Sequence, residues 1–504
     1  MTTKIEIAIN KAKNENEKSI EKLQSLCAQA EIGELLFHIY FLRIIRIFKN
    51  RDNTKANNLS LDMADEIYKY IIPSILKYGK VKLLSLNDIY INLSIDNDLT
   101  LALKEIVTHI NSNYESISLL TLCDDIELFG ERNQYLKLNL EDILSSDDKK
   151  IFFDYTYRTH EYINLQKQNI TQLENLLIDF EKEYSIHSEL LVKLYNLSAK
   201  EISNIVRKIM NHIMINLENN ENKCPILENN NIDINSPQTL INICSSFIID
   251  NDKMVELIGS QNNSFLNKLI FKSNNFNISE LSYPQILREP IIKINNYYII
   301  SPELLLDSLH INIHYSLLES EKTKNEYKKN SAIKFVDEIA NISNKHGYIE
   351  IQRELELYKK KNKLGDIDLI LYNKNKKRYL LIEAKNHSLP LAVYHGDLIS
   401  IKGHLEKLKI SWEQKVLNRL EHIKQHHDNY NIGSNFDYII VSKYPEIISH
   451  TSDILILAIK EYEYYLEHST LHFKKINEKM YHEDKLNLDE LKILSKDYTN
   501  FTFF

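Results

Sequence analysis

Breakers are scarce in this chain: 9 Gly and 8 Pro punctuate 504 residues. Glycine and proline are the residues that most readily interrupt regular structure. A chain this poor in them favours long helices over a sandwich of many short strands. At roughly 100–200 residues per domain, its length predicts two to four domains. Residues 1–217 carry the helical reading. Residues 5–49 are expected as one or two long helices. Residues 169–217 repeat apolar side chains at three-to-four spacing, as in Leu173, Leu176, Leu177 and Phe180. Residues 80–101 mix short apolar alternation with turns and admit a small winged element.

The texture then changes. Residues 218–237 are Asn-rich, with Pro225 and Pro237, and 260–279 are rich in Asn and Ser; both read as loop or linker. Residues 290–300 have the pattern of a hairpin with Asn295-Asn296 at its turn. Ser301-Pro302 follows as an N-cap and first helical position. The expected division is therefore a mainly helical region over 1–217, for recognition, sensing or oligomerisation, and a connecting region with a hairpin over 218–320. A chemistry-bearing domain over 321–475 and a C-terminal extension over 476–504 complete it.

Cys27, Cys123, Cys224 and Cys244 are far apart and form no CxxC pair. A zinc site or disulfide framework is not expected, buried thiols are, and a reducing cytoplasm fits. The first 22 residues are mixed in charge and lack the apolar core of a signal peptide. The most apolar stretch, 35–48, is interrupted by His38, Arg43 and Arg46. It falls short of the ~20 residues of a membrane span, so a buried helix is expected and a membrane partner is not.

Net charge is −8, which argues against a general nucleic-acid coat. The charge is unevenly spread, however. Residues 322–385 hold 16 Lys and Arg against 9 Asp and Glu, a surplus of +7 that leaves −15 elsewhere. A basic island in an acidic chain is either a phosphate-facing surface or a solvated lysine-rich turn.

The same window changes period. Residues 331–343 form a helix candidate with Ala332, Phe335, Val336, Ile339 and Ile342 on one side. Residues 348–358 alternate Ile349, Ile351, Leu355 and Leu357 against Glu350, Gln352, Glu354 and Glu356, a half-buried strand. Residues 366–372 and 378–385 are two more strands joined by a polar turn at 374–377. Residues two apart share a strand face, so Asp366 and Asp368 point one way and Ile367, Leu369 and Leu371 the other. Glu383 and Lys385 likewise share a face. A turn centred between Asn375 and Lys376 sets Asp368 opposite Glu383 and Asp366 opposite Lys385. Carboxylates at the roughly 5 Å of opposed side chains repel unless a cation lies between them. Mg²⁺ accepts such pairs while keeping several waters.

Gly365-Asp366-Ile367-Asp368, a 14-residue gap and Glu383-Ala384-Lys385 resemble the PD-(D/E)XK nuclease superfamily. The helix before them and the strand Phe436–Ser442 after them sit where that core has them. The resemblance covers roughly 322–467, and it implies an α/β restriction-endonuclease-like core, a mixed sheet flanked by helices. It implies Asp368 and Glu383 as ligands of Mg²⁺ or Mn²⁺, completed by the Ala384 carbonyl. It implies Lys385 as the group that orients the attacking water and offsets phosphate charge. A helix acid often joins such a site, and Glu338, at the edge of its helix's apolar face, is the choice over Asp337. No Pro precedes the aspartate, and Asp366 competes with Asp368 for the ligand position.

The implied activity is hydrolysis of phosphodiesters, in DNA or in RNA. The layout of a helical module before a nuclease resembles bacterial restriction and antiphage-defence proteins, with a homo-oligomer or a defence partner protein as possible assemblies. A catalytically silent fold used to bind nucleic acid is the rival reading. Lys359, Lys360, Lys361 and Lys363, with Lys374, Lys376, Lys377 and Arg378 at the next turn, are the candidate phosphate contacts. Gln414-Lys415 is either a nucleic-acid contact or a solvated helix face, and His422, His426 and His427 are expected as solvated histidines. Trp412 is expected in the core. Gly79-Lys80 lacks the Gly-rich loop of a P-loop, which excludes that kind of nucleotide-driven motor.

Overall fold

The computed structural model describes residues 4–51, 55–83, 85, 95–120, 127–129, 135–137, 151–152, 154–155, 157–159, 161–162, 173–227, 232–233, 236–277, 285–387, 398–468, 472–481 and 501–502. It separates into two compact units. One combines residues 13–114 and 170–327; the other combines 1–12, 115–169 and 328–504.

The first unit is helical. Ile32–Arg51, Lys55–Tyr78, Ala199–Glu221 and Pro302–Glu319 are its longest helices besides those that cross the unit boundary. The apolar stretch at 35–48 is the buried helix expected, with Leu35, Leu36, Ile39 and Leu42 inaccessible. Ser198 and Glu201 form a reciprocal capping box at the start of Ala199–Glu221. The hairpin is present as Ile291–Ile294 and Tyr297–Ile300, with Asn295 at φ 51°. Ser301 caps the next helix by accepting the Leu304 N–H at 3.3 Å, with Pro302 in its first turn.

The region expected as a connector, 218–320, is part of this unit's core. Leu240, Ile243, Phe247, Phe265, Leu266, Leu305 and Leu309 pack in one cluster with Leu23, Leu35 and Ile71. The Asn and Ser content reads as loop, but the apolar residues between recur at helical spacing and outweigh it. Asn263–Leu269, inside the stretch expected as loop, is a helix that buries Phe265, Leu266 and Leu269. The expected boundary at 217 fails in the other direction too. Tyr155, Arg158 and Tyr162 are inaccessible within the second unit, where Arg158 meets Glu461. The winged element expected at 80–101 falls largely on residues 84 and 86–94, outside the described residues. Cys27, Cys224 and Cys244 are buried free thiols, and burial pushes Cys27 up to about 12; Cys123 lies outside the described residues. Among the described residues, no helix is long and apolar enough to cross a membrane.

The second unit is α/β. Its sheet has five strands: β1 (Tyr348–Lys359), β2 (Asn362–Asn373), β3 (Arg378–Lys385), β4 (Phe436–Ser442) and β5 (Leu455–Ala458), in the spatial order β5-β4-β3-β2-β1. β1, β2 and β3 run antiparallel, whereas β4 is parallel to β3 and β5 to β4. Helix α1 (Lys324–Lys345) lays Phe335, Ile339 and Ile342 on one face, against Leu369, Leu371, Leu380 and Ile382. On the opposite face, α2 (Leu398–Leu408) and α3 (Gln414–His426) place Leu408, Val416 and Ile423 against Ile367, Ile370, Leu381 and Ile440. Both faces are covered, which is why β3 and β4 read as unbroken apolar runs. α4 (Ile459–His468) and α5 (Phe473–Tyr481) pack Tyr462 and Ile476 beside α1. The stretch expected as an extension from 476 thus begins inside the folded unit. Residues 482–500 and 503–504 lie outside the described residues.

Candidate functional site

β2 and β3 pair in the expected register, from Asn373 with Arg378 to Leu369 with Ile382. One step further, where Asp368 and Glu383 would follow, the ladder gives way to a side-chain bond: Asp368 Oδ2 accepts the Ala384 N–H at 2.7 Å. The strand also turns over here. Leu369 and Leu371 pack on the α1 face as expected, but Ile367 packs on the other face with Ile370 and Leu381. The expected grouping of Ile367 with Leu369 and Leu371 is therefore incorrect. A matching irregularity lies on β1. Glu354, which falls opposite Asp368, has φ 48°, a left-handed conformation that breaks alternation, and the register shifts between Glu350 and Gln352. Asp368 stands at this irregularity, half-buried, beside Glu383.

Glu383 is 5% exposed, and a buried carboxylate needs partners. Lys385 Nζ donates to Oε1 at 2.5 Å, and Arg419 Nη1 lies 2.9 Å from Oε2. The Tyr438 hydroxyl reaches Oε2 at 3.5 Å, the limit of a hydrogen bond. Arg419 comes from α3 and was not among the residues singled out from the sequence. Its signal was there: it lies between Val416 and Ile423 on the apolar stripe of the helix, where a solvated arginine does not belong. Its guanidinium also donates to the Asp366 carbonyl, and its Nε to the Lys415 carbonyl at 3.3 Å. Gly365, at φ 132°, makes room for it, since a Cβ there would lie 3.3 Å from Arg419 Cδ and Nη1.

These contacts set the electrostatics. Burial, and then the Glu383 charge, push the Asp368 carboxyl up to about 6; the Ala384 N–H and Lys385 pull the other way. Burial and the same glutamate hold the Tyr438 phenol well above its ordinary value.

A second cluster adjoins Lys385. Glu446 is inaccessible, and its two oxygens meet His387 Nε2 and, at 2.9 Å, His404 Nε2. Burial alone would raise the Glu446 carboxyl, but the two imidazoles outweigh it and leave it below its ordinary value. His387 Nδ1 approaches the Lys385 carbonyl at 3.3 Å. Trp412 packs half-buried against the α2/α3 side of the core, and its ring stands edge-on to His387 at 5.1 Å and 6.0 Å from Lys385 Nζ, so it borders the site as well.

Of the residues singled out from the sequence, Asp368, Glu383, Ala384 and Lys385 come together, and Asp366 joins through its carbonyl. Glu338 is exposed on α1, the helix that covers the opposite face of the sheet from Glu383 and Arg419. Its neighbour Asp337 pairs with Arg353 at 2.6 Å. The basic residues divide into two groups. Lys359, Lys360, Lys361 and Lys363 are exposed at the β1–β2 turn, where Lys363 pairs with Glu356 at 2.6 Å, and Asp368 lies near the middle of β2, between this group and the next. Lys374, Lys376 and Lys377 are exposed at the β2–β3 turn, and Arg378 is bound to Asp437 at 2.5 Å. β2 has 12 residues, so at about 3.3 Å each the two groups stand roughly 40 Å apart.

Gln414 and Lys415 lie on an exposed helix face, and Gln414 bonds Asn418 at 3.4 Å. The His422 and His426 rings lie 4.8 Å apart, but His422 meets the Tyr430 hydroxyl at 2.9 Å and His427 turns to the Ile432 carbonyl at 2.9 Å, so the three do not converge on one point. Among the described residues, no group of three or more His, Cys, Asp or Glu side chains is arranged to hold a metal ion. What fits a divalent cation is narrower: two adjacent carboxylates, one of them pushed toward its neutral form by burial and then by the charge of the other. That arrangement suits a hard ion that retains most of its waters. No protein-family model matches the chain, and comparison with curated proteins and with solved structures finds no match.

Proposed function

We propose that the α/β unit is a metal-dependent phosphodiesterase acting on nucleic acid, DNA in the first instance, and that its core is of the PD-(D/E)XK nuclease type. The observation that carries this reading is the meeting of Asp368, Glu383 and Lys385 at the end of β3, with the Asp368 carboxyl raised to about 6 beside Glu383. Such a pair lowers its own repulsion by taking up a cation. Asp368 and Glu383 would hold Mg²⁺ or Mn²⁺, with the Ala384 carbonyl as a third donor. When bound, the ion supplies a water acidic enough to attack near neutral pH and countercharge for the phosphate. Lys385, 24% exposed at its side chain, is placed to hold a phosphate oxygen and offset charge as it develops. Lys359, Lys360 and Lys361, at the β1–β2 turn that extends past the end of β3, would carry the backbone leading away from the cleaved bond. The helical unit would choose the target, sense a trigger or assemble copies. A place in bacterial restriction or antiphage defence is a proposal from layout alone.

A second reading has one observation in its favour. Lys385 and Arg419 already neutralise Glu383 without any metal, as in a nuclease fold kept only to bind nucleic acid. The test is incubation of purified protein with plasmid DNA, single-stranded DNA and RNA, with Mg²⁺ or with EDTA. Cleavage that needs Mg²⁺ and is lost in Glu383→Ala supports the enzyme. Retention of nucleic acid with no cleavage, and no divalent-ion binding by calorimetry, supports the binding module.

A further inference from the structure

Glu383 has two cationic partners, and the structure treats them differently. Lys385 reaches Oε1 from the same strand, with a flexible stem and a side chain 24% exposed. Arg419 reaches Oε2 from α3 with a side chain 6% exposed. Arg419 is also tied to the Asp366 and Lys415 carbonyls and passes through the space that Gly365 leaves open. Releasing Lys385 lets its ammonium return to water. Releasing Arg419 would strand a buried guanidinium and part its bond to the Asp366 carbonyl, which costs far more.

We infer that Arg419 is a positioning residue, the permanent holder of Glu383, and that Lys385 is exchangeable: a divalent cation enters by taking the place of Lys385 on Glu383 Oε1. This rests on the metal-dependent reading above and adds an order of events to it. The lysine is released toward the substrate phosphate only when the cation arrives, so the metal-free site is held closed by its own side chain. No covalent bond changes in this step; one ionic partner replaces another.

The chain has a single tryptophan, Trp412, whose ring lies 6.0 Å from Lys385 Nζ. Departure of the ammonium from Glu383 therefore has an optical signal that does not depend on turnover. The experiment is titration of the full chain with Mn²⁺, followed by Trp412 fluorescence and by calorimetry, in wild type, Lys385→Met and Arg419→Met.

Wild type is expected to bind Mn²⁺ with a change in Trp412 emission. Lys385→Met removes the competitor. It should bind about fivefold more tightly, the scale of a partly exposed ion pair, and without the emission change. Arg419→Met removes the holder and should bind roughly tenfold more weakly. Both variants delete one positive charge from the same carboxylate, so a purely electrostatic account makes both bind more tightly. Arg419→Lys keeps the charge but not the fork, and Gly365→Ala crowds the guanidinium; both should weaken binding, which covers the case where Arg419→Met does not fold. Tighter binding in both Lys385→Met and Arg419→Lys overturns the inference. So does wild-type binding seen by calorimetry with no change at Trp412. If Mn²⁺ binds with the expected exchange but no nucleic acid is cut, the enzymatic reading fails and the exchange stands. If no Mn²⁺ binds at all, both fall.

Discussion

Carboxylates are buried in both units of this protein, but for different purposes. In the helical unit Glu34 is 4% exposed, and its oxygens accept backbone N–H groups of Glu31 at 2.8 Å and Asp96 at 2.9 Å. Glu289 likewise accepts the Lys272 N–H at 2.9 Å and the Gln285 amide at 2.8 Å, with the half-exposed Lys272 ammonium more distant at 3.5 Å. These acids finish helix and loop ends, where the backbone has unmet donors. In the α/β unit Glu383 lies between a lysine and an arginine and Glu446 between two histidines. Glu461 is held by the Arg158 fork at 2.6 Å, with neither side chain exposed. Pairing buried side-chain charges gains little net stability over apolar packing. A region that concentrates them therefore marks chemistry or specificity more than strength, and these three acids lie on or near the strand ends where Lys385 emerges.

The sharpest way to break this comparison is at the site. Asp368→Ala and Glu383→Ala should each lower Mg²⁺-dependent cleavage on the order of a thousandfold or more. Far-UV circular dichroism should be unchanged. Wild-type rates in either variant would remove the α/β unit's claim to chemistry. The two positions should also differ in metal-free stability. Asp368→Asn relieves a destabilising charge, whereas Glu383→Ala leaves Arg419 without its carboxylate.

Next in size is the Arg158–Glu461 pair. Arg158→Met strands a buried carboxylate and should cost about 3–5 kcal/mol. Glu34→Gln in the helical unit removes only charge-assisted capping and should cost about 1 kcal/mol. Denaturant unfolding of each full-length variant measures both; equal costs would mean that the two units bury acids for the same reason.

Acid should affect the two units with opposite signs. Asp368 has its folded pKa raised from 3.8 to about 6, so its ionised form destabilises the fold above pH 6. That penalty fades as pH falls through 6 toward 4. Relative to Asp368→Asn, the metal-free wild type should thus lose up to about 2 kcal/mol at pH 7.5 and nothing near pH 4. His38, fully buried in the helical unit with both ring nitrogens unpaired, has its folded pKa lowered from 6.5 to about 3. It leaves stability untouched above pH 6.5 and withdraws it as pH falls toward 3, about 2 kcal/mol by pH 5. His38→Leu should flatten that loss. Thermal melts across pH 4–8 check both; a wild-type minus Asp368→Asn difference that grows toward low pH would contradict the assignment.

The smallest effects belong to the basic turns. Replacing Lys359, Lys360 and Lys361 with alanine should weaken nucleic-acid binding and lower its salt slope by roughly one for each phosphate no longer neutralised. Lys363 and Arg378, already bound to Glu356 and Asp437, should contribute less. Binding measured at several salt concentrations decides it, and an unchanged slope in the triple variant would leave these lysines as solubilising charge.

The local pattern of the α/β unit was legible in the chain itself. The polar turn at 374–377 and the strands on either side of it set the β2–β3 register and brought Asp368, Glu383 and Lys385 to one place. At 348–358 the expected alternation holds only around Leu355 and Leu357, because Ile349 and Ile351 are 42% and 50% exposed beside a register shift on β1. Side chains two apart on a strand share a face, and a tight turn leaves little choice of pairing. The same rule misplaced Ile367. The break in alternation at Asp368, opposite the left-handed Glu354 of β1, leaves no mark in the residue order of β2. The helical unit was legible as helices but not as a unit. Residues 218–320 read as connector because Asn and Ser favour loops on average, whereas Phe265, Leu266 and Leu305 take their burial from helices distant in sequence.

What the amino-acid order determined by itself was everything set by neighbours in the chain: the helices, the caps at Ser198 and Ser301, the hairpin turn at Asn295, and the pairing of β2 with β3. What only the tertiary structure decided was the company each charge keeps. Arg419 reaches Glu383 across 36 residues, His404 reaches Glu446 across 42, and Arg158 reaches Glu461 across 303. The physical reason is desolvation. A charge on one element is tolerable in the interior only when another element arrives with its counterpart, and no local pattern records which element that will be.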